Sequence, residues 1–124
     1  MNKETKLQRR IMLALSSAGC IVFRNETAGA YVGKVIHKAG QQVTLAGATY
    51  LPVGLCKGSS DIIGIAPDGR FLAVEVKTDT GRATKEQHAF IRVVNHAGGI
   101  AGIVRSEQDA LDLIKQEGSN DQAN

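Results

Sequence analysis

Tryptophan is missing from this 124-residue chain, and three Phe and two Tyr are its only aromatic residues. A core of stacked rings is therefore excluded, and Ile, Val, Leu and Ala must fill the interior. Cysteine is scarce too. Cys20 and Cys56 lie far apart in apolar contexts, with neither the spacing of a zinc site nor the number of a disulfide scaffold. The expectation is a reduced, buried pair in an intracellular, cytoplasmic protein. No apolar run approaches the ~20 residues that span a bilayer. The polar N-terminus does not read as a signal peptide, so no membrane partner is expected. Repeats and low-complexity tracts are also absent.

What is present has a globular balance. Fifteen Lys and Arg outweigh twelve Asp and Glu, giving a net charge of +3. That excess suits a polyanionic partner, although no dense basic block marks a non-specific DNA-binding tail. The length suffices for one core, expected as a single domain over residues 1–117 with a flexible tail at 118–124.

Leu7, Ile11, Ala14, Leu15 and Ala18 recur at helical spacing, predicting an amphipathic helix from about Lys3 to Ala18 with Asn2 as its cap. Ile21 to Phe23 read as a short strand. Residues 30–53 carry β-branched bursts broken by Gly33, Gly40 and Gly47, which predicts one or two irregular hairpins inserted between core elements. Asp61–Ala66 and Phe71–Lys77 read as two strands joined by Pro67-Asp68-Gly69, apolar on both faces. A helix over about Lys85–Asn95, a strand over Ile100–Val104 and a last helix from the Ser106 cap to about Lys115 complete the order. The fold class is α/β, a mixed sheet flanked by helices in αβββαβ order, with the 61–77 hairpin at its centre.

The three-residue loop fixes the register of that hairpin. It sets Ala66 across from Arg70 and, counting back, Asp61 across from Glu75. Alternation then brings Asp61, Glu75 and Lys77 to one face, among Ile63, Ile65, Phe71 and Ala73. Two opposed carboxylates in apolar surroundings are costly unless a cation neutralises them. Oxygen ligands of this kind suit Mg²⁺ or Mn²⁺. A lysine one strand repeat further on can hold an attacking water and offset charge on a pentavalent phosphate. Each fragment alone has an ordinary explanation: Glu75-Val76-Lys77 as an exposed strand, Asp61 as a cap on the preceding loop. Their alignment favours a metal site for phosphodiester hydrolysis.

Gly58-Ser59-Ser60-Asp61, followed by a hairpin and Glu75-Val76-Lys77, resembles the PD-(D/E)XK nuclease signature. More narrowly it is similar to the VRR-NUC domain, whose stand-alone members occur in phages and bacteria. Thr78 to Gln87, the Ile103-Val104-Arg105-Ser106 segment and the Glu4 helix with Gln8 extend the likeness over nearly the whole chain. The resemblance implies a restriction-endonuclease-like core. Within it, Asp61, Glu75 and the Val76 carbonyl would bind metal, and Lys77 would be catalytic. Gln87 and Glu4 would support the site. Gln87 also completes a capping box with Thr84, and Glu4 also suits a first helical turn; neither alternative excludes a site role. Ser60 stands where the broader pattern has proline.

Arg24, Asn25, Thr27, Lys57, Ser59, Ser60, Arg82 and Lys85 are the candidate DNA contacts, and Lys34, His37 and Lys38 could extend the basic surface. His37, His88 and His96 lack metal-ligand spacing and receive no catalytic role. The family likeness further implies branched or structured DNA as substrate, Holliday junctions included, and a homodimer. A restriction-type nuclease is the competing enzyme, and a non-catalytic DNA-binding module of the same fold is the competing class.

Overall fold

The computed structural model describes residues 1–26, 29–52 and 54–123. Helix α1 (Lys3–Ser17) starts where the Asn2 side chain accepts the Thr5 N–H at 2.8 Å. Its face Leu7, Ile11 and Leu15 is buried, each side chain worth about 1.5–3 kcal/mol. Strand β1 (Ile21–Arg24) follows. The central hairpin comprises β4 (Ile62–Ile65) and β5 (Phe71–Val76), after which come α2 (Lys85–His96), β6 (Ile100–Val104) and α3 (Glu107–Ala123). The sheet order is β1-β4-β5-β6, antiparallel except for the parallel β5–β6 pair. Mixed sheet, flanking helices and central hairpin are as expected.

The register is also as expected. Ile62 pairs with Val74 and Ile65 with Phe71, and the Ala66 N–H donates to the Arg70 carbonyl at 2.8 Å. Gly69 takes a φ of +92° in the loop, a conformation that glycine adopts without steric cost.

The two faces of the sheet differ. Leu72, Val74 and Val76 of β5, with Ile62, Ile100 and Val104, pack under α1 and α3 in the main core. On the other face α2 covers only a small cluster of Ala73, Val94 and Ala101, with Phe90 and Ile91 against it. Here the expected apolar surroundings are only partly present. Ala73 is fully buried, but Ile65 and Phe71 remain 44% and 43% exposed because α2 lies over β5 and β6 and leaves the β1–β4 side open.

Residues 30–53 were expected as one or two irregular hairpins between core elements, and the described residues form one such hairpin: a long ribbon of β2 (Gly29–Ala39) against β3 (Gln42–Pro52), in a separate two-stranded sheet. Register shifts at Val32/Lys34 and Val35/His37 supply the irregularity, with Gly47 at φ +61° in the first. Two expectations need correction. Cys20 is buried but Cys56 is exposed, so the cysteines are not a buried pair. Helix α3 runs on through Ala123 instead of ending near Lys115, since Gly118 weakens a helix without removing a backbone N–H as proline would.

Candidate active site

Asp61 stands immediately before β4, at the register position facing Glu75. Its Oδ2 accepts the Val76 N–H at 3.0 Å, which ties the loop carboxylate to the end of β5. Its carbonyl accepts the Asn25 N–H at 2.8 Å. Asn25 then donates from Nδ2 to Ser59 Oγ at 2.8 Å and to the Ser60 carbonyl at 2.9 Å. Asn25, Ser59 and Ser60 thus brace the segment that carries Asp61. Both serines are buried, and Ser60 Oγ has no hydrogen-bond partner among the described residues.

Glu75 alternates with the core residues Val74 and Val76, so it points to the α2 side, where it is only 1% exposed. Three groups meet its carboxylate. Gln87 Nε2 donates to Oε2 at 3.3 Å, Lys77 Nζ lies 3.6 Å from the same oxygen, and the Asp61 carboxylate stands beside it. Burial foremost, and then Asp61, push the Glu75 carboxyl up to about 8, against the opposing pull of Lys77. Oε1 is buried and has no hydrogen-bond partner among the described residues. Two ionised carboxylates offer each other no donor, so this corner demands a shared proton or a cation.

That unmet oxygen, beside a second carboxylate, fits a hard divalent cation. No cluster of three or more His, Cys, Asp or Glu side chains occurs among the described residues. A site here would therefore rest on Asp61, Glu75, a main-chain carbonyl and water, a donor set that suits Mg²⁺, which keeps several waters and binds through one or two carboxylates.

Gln87 makes contacts in two directions. Its Oε1 accepts the Thr84 N–H at 2.8 Å and its own N–H donates to Thr84 Oγ1 at 3.1 Å, closing a capping box. The far nitrogen of the same amide is what reaches Glu75. An acceptor needed at one end and a donor at the other fix which way the amide points.

The remaining candidates are dispersed. Glu4 is exposed on the first turn of α1 and makes no hydrogen bond or ion pair with the described residues of the centre. Arg24 is exposed at the end of β1, and its Nη2 donates to Gln8 Oε1 at 2.9 Å. Lys57, Arg82 and Lys85 are exposed. Thr27 lies outside the described residues.

One positioning residue was missed. Gly58 adopts a φ of +86°, and a Cβ there would meet the Glu86 carbonyl carbon and oxygen at 2.5 Å. The loop leading to Asp61 therefore rests on the first turn of α2, the turn that carries Gln87. A glycine three residues before the aspartate was the available signal, but its neighbour is distant in sequence.

The model of the VRR-NUC domain matches residues 34–108, more than half of the chain and including the distal half of the β2–β3 ribbon. No curated protein matches. A solved structure described as a VRR_NUC domain is similar with a TM-score of 0.57 over 93% of this chain and 97% of that one. At 17% identity this second likeness is one of fold.

Proposed function

This chain belongs to the VRR-NUC domain family, and on that premise we propose that it is a divalent-metal-dependent DNA endonuclease that hydrolyses phosphodiester bonds at branched DNA. The observation that carries this reading is the buried Glu75 carboxylate, with one oxygen unpartnered beside Asp61 and the other held by Lys77 and Gln87. Asp61, Glu75 and the Val76 carbonyl would hold Mg²⁺ or Mn²⁺. When bound, such a metal supplies Lewis acidity to a phosphoryl oxygen and acidifies a coordinated water.

The protein's own groups do the rest. Lys77 holds its ammonium at Glu75 Oε2, ready to orient the attacking water and to offset charge growing on the phosphate. Gln87 keeps the Glu75 carboxylate from rotating, and the Asn25–Ser59–Ser60 brace fixes Asp61. Arg24, Lys57, Arg82 and Lys85 are the proposed contacts to flanking phosphates. Glu4 and Thr27 are kept as proposed accessories of catalysis and of DNA contact, respectively.

Homodimerisation belongs to the same proposal. Ile21 pairs with Ile65 and Ile65 with Phe71 across three strands, on the open face of the sheet, and all three are exposed. Phe71 continues into a cleft shared with the exposed Val93 of α2. An uncharged row of this kind supports a second copy seated there, giving one site for each strand of a branch. An intracellular setting that keeps Cys20 and Cys56 as free thiols completes the reading.

The test is cleavage of end-labelled four-way junction, splayed-arm and linear duplex DNA in Mg²⁺, Mn²⁺ or EDTA. Metal-dependent cutting that is lost in Glu75→Ala and Lys77→Ala is expected, with branched substrates cut first. DNA binding with no cutting in either metal would leave a non-catalytic module of this fold. Sedimentation tests the dimer: Ile65→Glu should turn a dimer into a folded monomer, and a monomeric wild type would refute the pairing.

A further inference from the structure

We infer that the β2–β3 ribbon is a DNA-binding arm, its far half gripping phosphates and its near half stacking on unpaired bases. The inference rests on the DNA-nuclease reading and assigns this segment a role in it. The first observation is charge. No acidic residue occurs between Glu26 and Asp61, whereas Lys34, His37, Lys38 and Lys57 all fall there. In a chain with twelve acidic side chains this whole stretch contains none, a charge balance complementary to a polyanion.

The second observation is where the ribbon is rooted. One leg leaves from the Arg24–Asn25 end of β1 and the other returns through the loop that ends in Ser59, Ser60 and Asp61. These are the two loops that Asn25 stitches together beside the catalytic aspartate. A strand bound at Asp61 and Glu75 therefore passes the base of the ribbon. Tyr31 and Tyr50 pair across the ribbon near that base, edge to face with ring centroids 5.2 Å apart. They stay 68% and 54% exposed.

The third is shape. No other element packs extensively on the ribbon among the described residues, and two-stranded sheets of this kind enter DNA grooves. From Tyr31 to Lys38 the strand advances roughly 23 Å at about 3.3 Å per residue. That distance is on the order of seven base pairs, enough to grip the duplex arm beyond a branch while the tyrosines meet its unstacked bases.

The experiment measures binding by fluorescence anisotropy in EDTA, where cutting is silent, across a salt series and on duplex and splayed-arm DNA. Lys34→Ala/Lys38→Ala should lower the slope of log affinity against log salt by about 2, since each phosphate contact contributes about 0.9. Lys34→Arg/Lys38→Arg should restore it. Tyr31→Ala/Tyr50→Ala should weaken splayed-arm binding about tenfold or more while leaving duplex binding within about twofold, and Tyr31→Phe/Tyr50→Phe should bind as wild type. Circular dichroism confirms that each variant is folded.

A wild type that binds with these slopes yet cuts in no metal keeps the arm and refutes the nuclease. A wild type that cuts, with arm variants whose affinity and slope are unchanged, refutes the arm alone. Arm variants that alter sedimentation but not DNA affinity would make the ribbon a protein interface and overturn the proposal.

Discussion

Strand β5 turns its two sides to two different environments. Leu72, Val74 and Val76 face α1 and α3 and belong to the large apolar cluster of the main core. Ala73 and Glu75 face α2, where the apolar cluster is small, the β1–β4 side is open, and a carboxylate is buried among polar groups. The alternation of the strand thus separates the side that holds the sheet together from the side on which the proposed site and contact surface lie. The buried residues of the main core lie on the same strand as Glu75, so their burial helps to offset the cost of the buried carboxylate.

The sharpest way to break that division is to truncate one residue on each side. Lys77→Ala should slow cleavage by about 10²–10³-fold or more, as expected for loss of a preorganised charge, with little change in thermal midpoint. Ile62→Ala, fully buried under α1 and α3, should cost about 2–5 kcal/mol of stability and leave cleavage per folded molecule unchanged. Denaturant melts and single-turnover cleavage on both variants test the pair. Equal losses in both assays for either variant would mean that the two faces are not independent.

How much of this was legible in the sequence follows from the range of each interaction. The Asp61–Glu75 register could be counted because a short loop, Pro67-Asp68-Gly69, links the two strands directly. The Gln87 cap could be read because its partner is three residues away, whereas its place beside the site was implied only by the family resemblance. The Asn25 brace could not, since 34 residues separate Asn25 from Ser59. Nor could the exposure of Ile65 and Phe71, which depends on how far α2 reaches across the sheet. A hairpin could be expected over residues 30–53, but its length and register could not, because Gly33 and Gly47 sit at a register shift and interrupt the alternation that marks a strand.

The pH dependence of metal-free stability sharpens the contrast further. Glu75 sits at about 8 in the folded protein against an ordinary 4.5, so the folded state binds the proton more tightly than the unfolded chain. Its stabilising contribution is complete below about pH 4.5 and is lost as pH rises through about 8, with a slope of at most about 1.4 kcal/mol per pH unit for one proton. Glu75→Gln should remove that slope. Because a bound cation needs the ionised carboxylate, stabilisation by Mg²⁺ or Mn²⁺ should grow over the same interval. Thermal melts from pH 5 to pH 9, with metal and with EDTA, measure both trends. A wild type whose metal-free stability is flat over that range would mean that Glu75 is already ionised.

The smallest effect separates the two jobs of Gln87. Thr84→Ala removes the hydroxyl that accepts the Gln87 N–H but leaves the Gln87 amide free to reach Glu75. It should cost about 1 kcal/mol of stability and leave cleavage within about twofold. Gln87→Glu keeps an acceptor for the Thr84 N–H, as the capping box allows glutamate, yet replaces the N–H donor at Glu75 with an oxygen of a third carboxylate. Stability in metal should stay near wild type, while the cleavage-against-pH curve moves to higher pH, because like charge disfavours ionisation of Glu75. An unmoved curve in Gln87→Glu would mean that the contact to Glu75 is incidental. The helix would then need the glutamine only for its cap, and the open face would depend on Asp61, Glu75 and Lys77 alone.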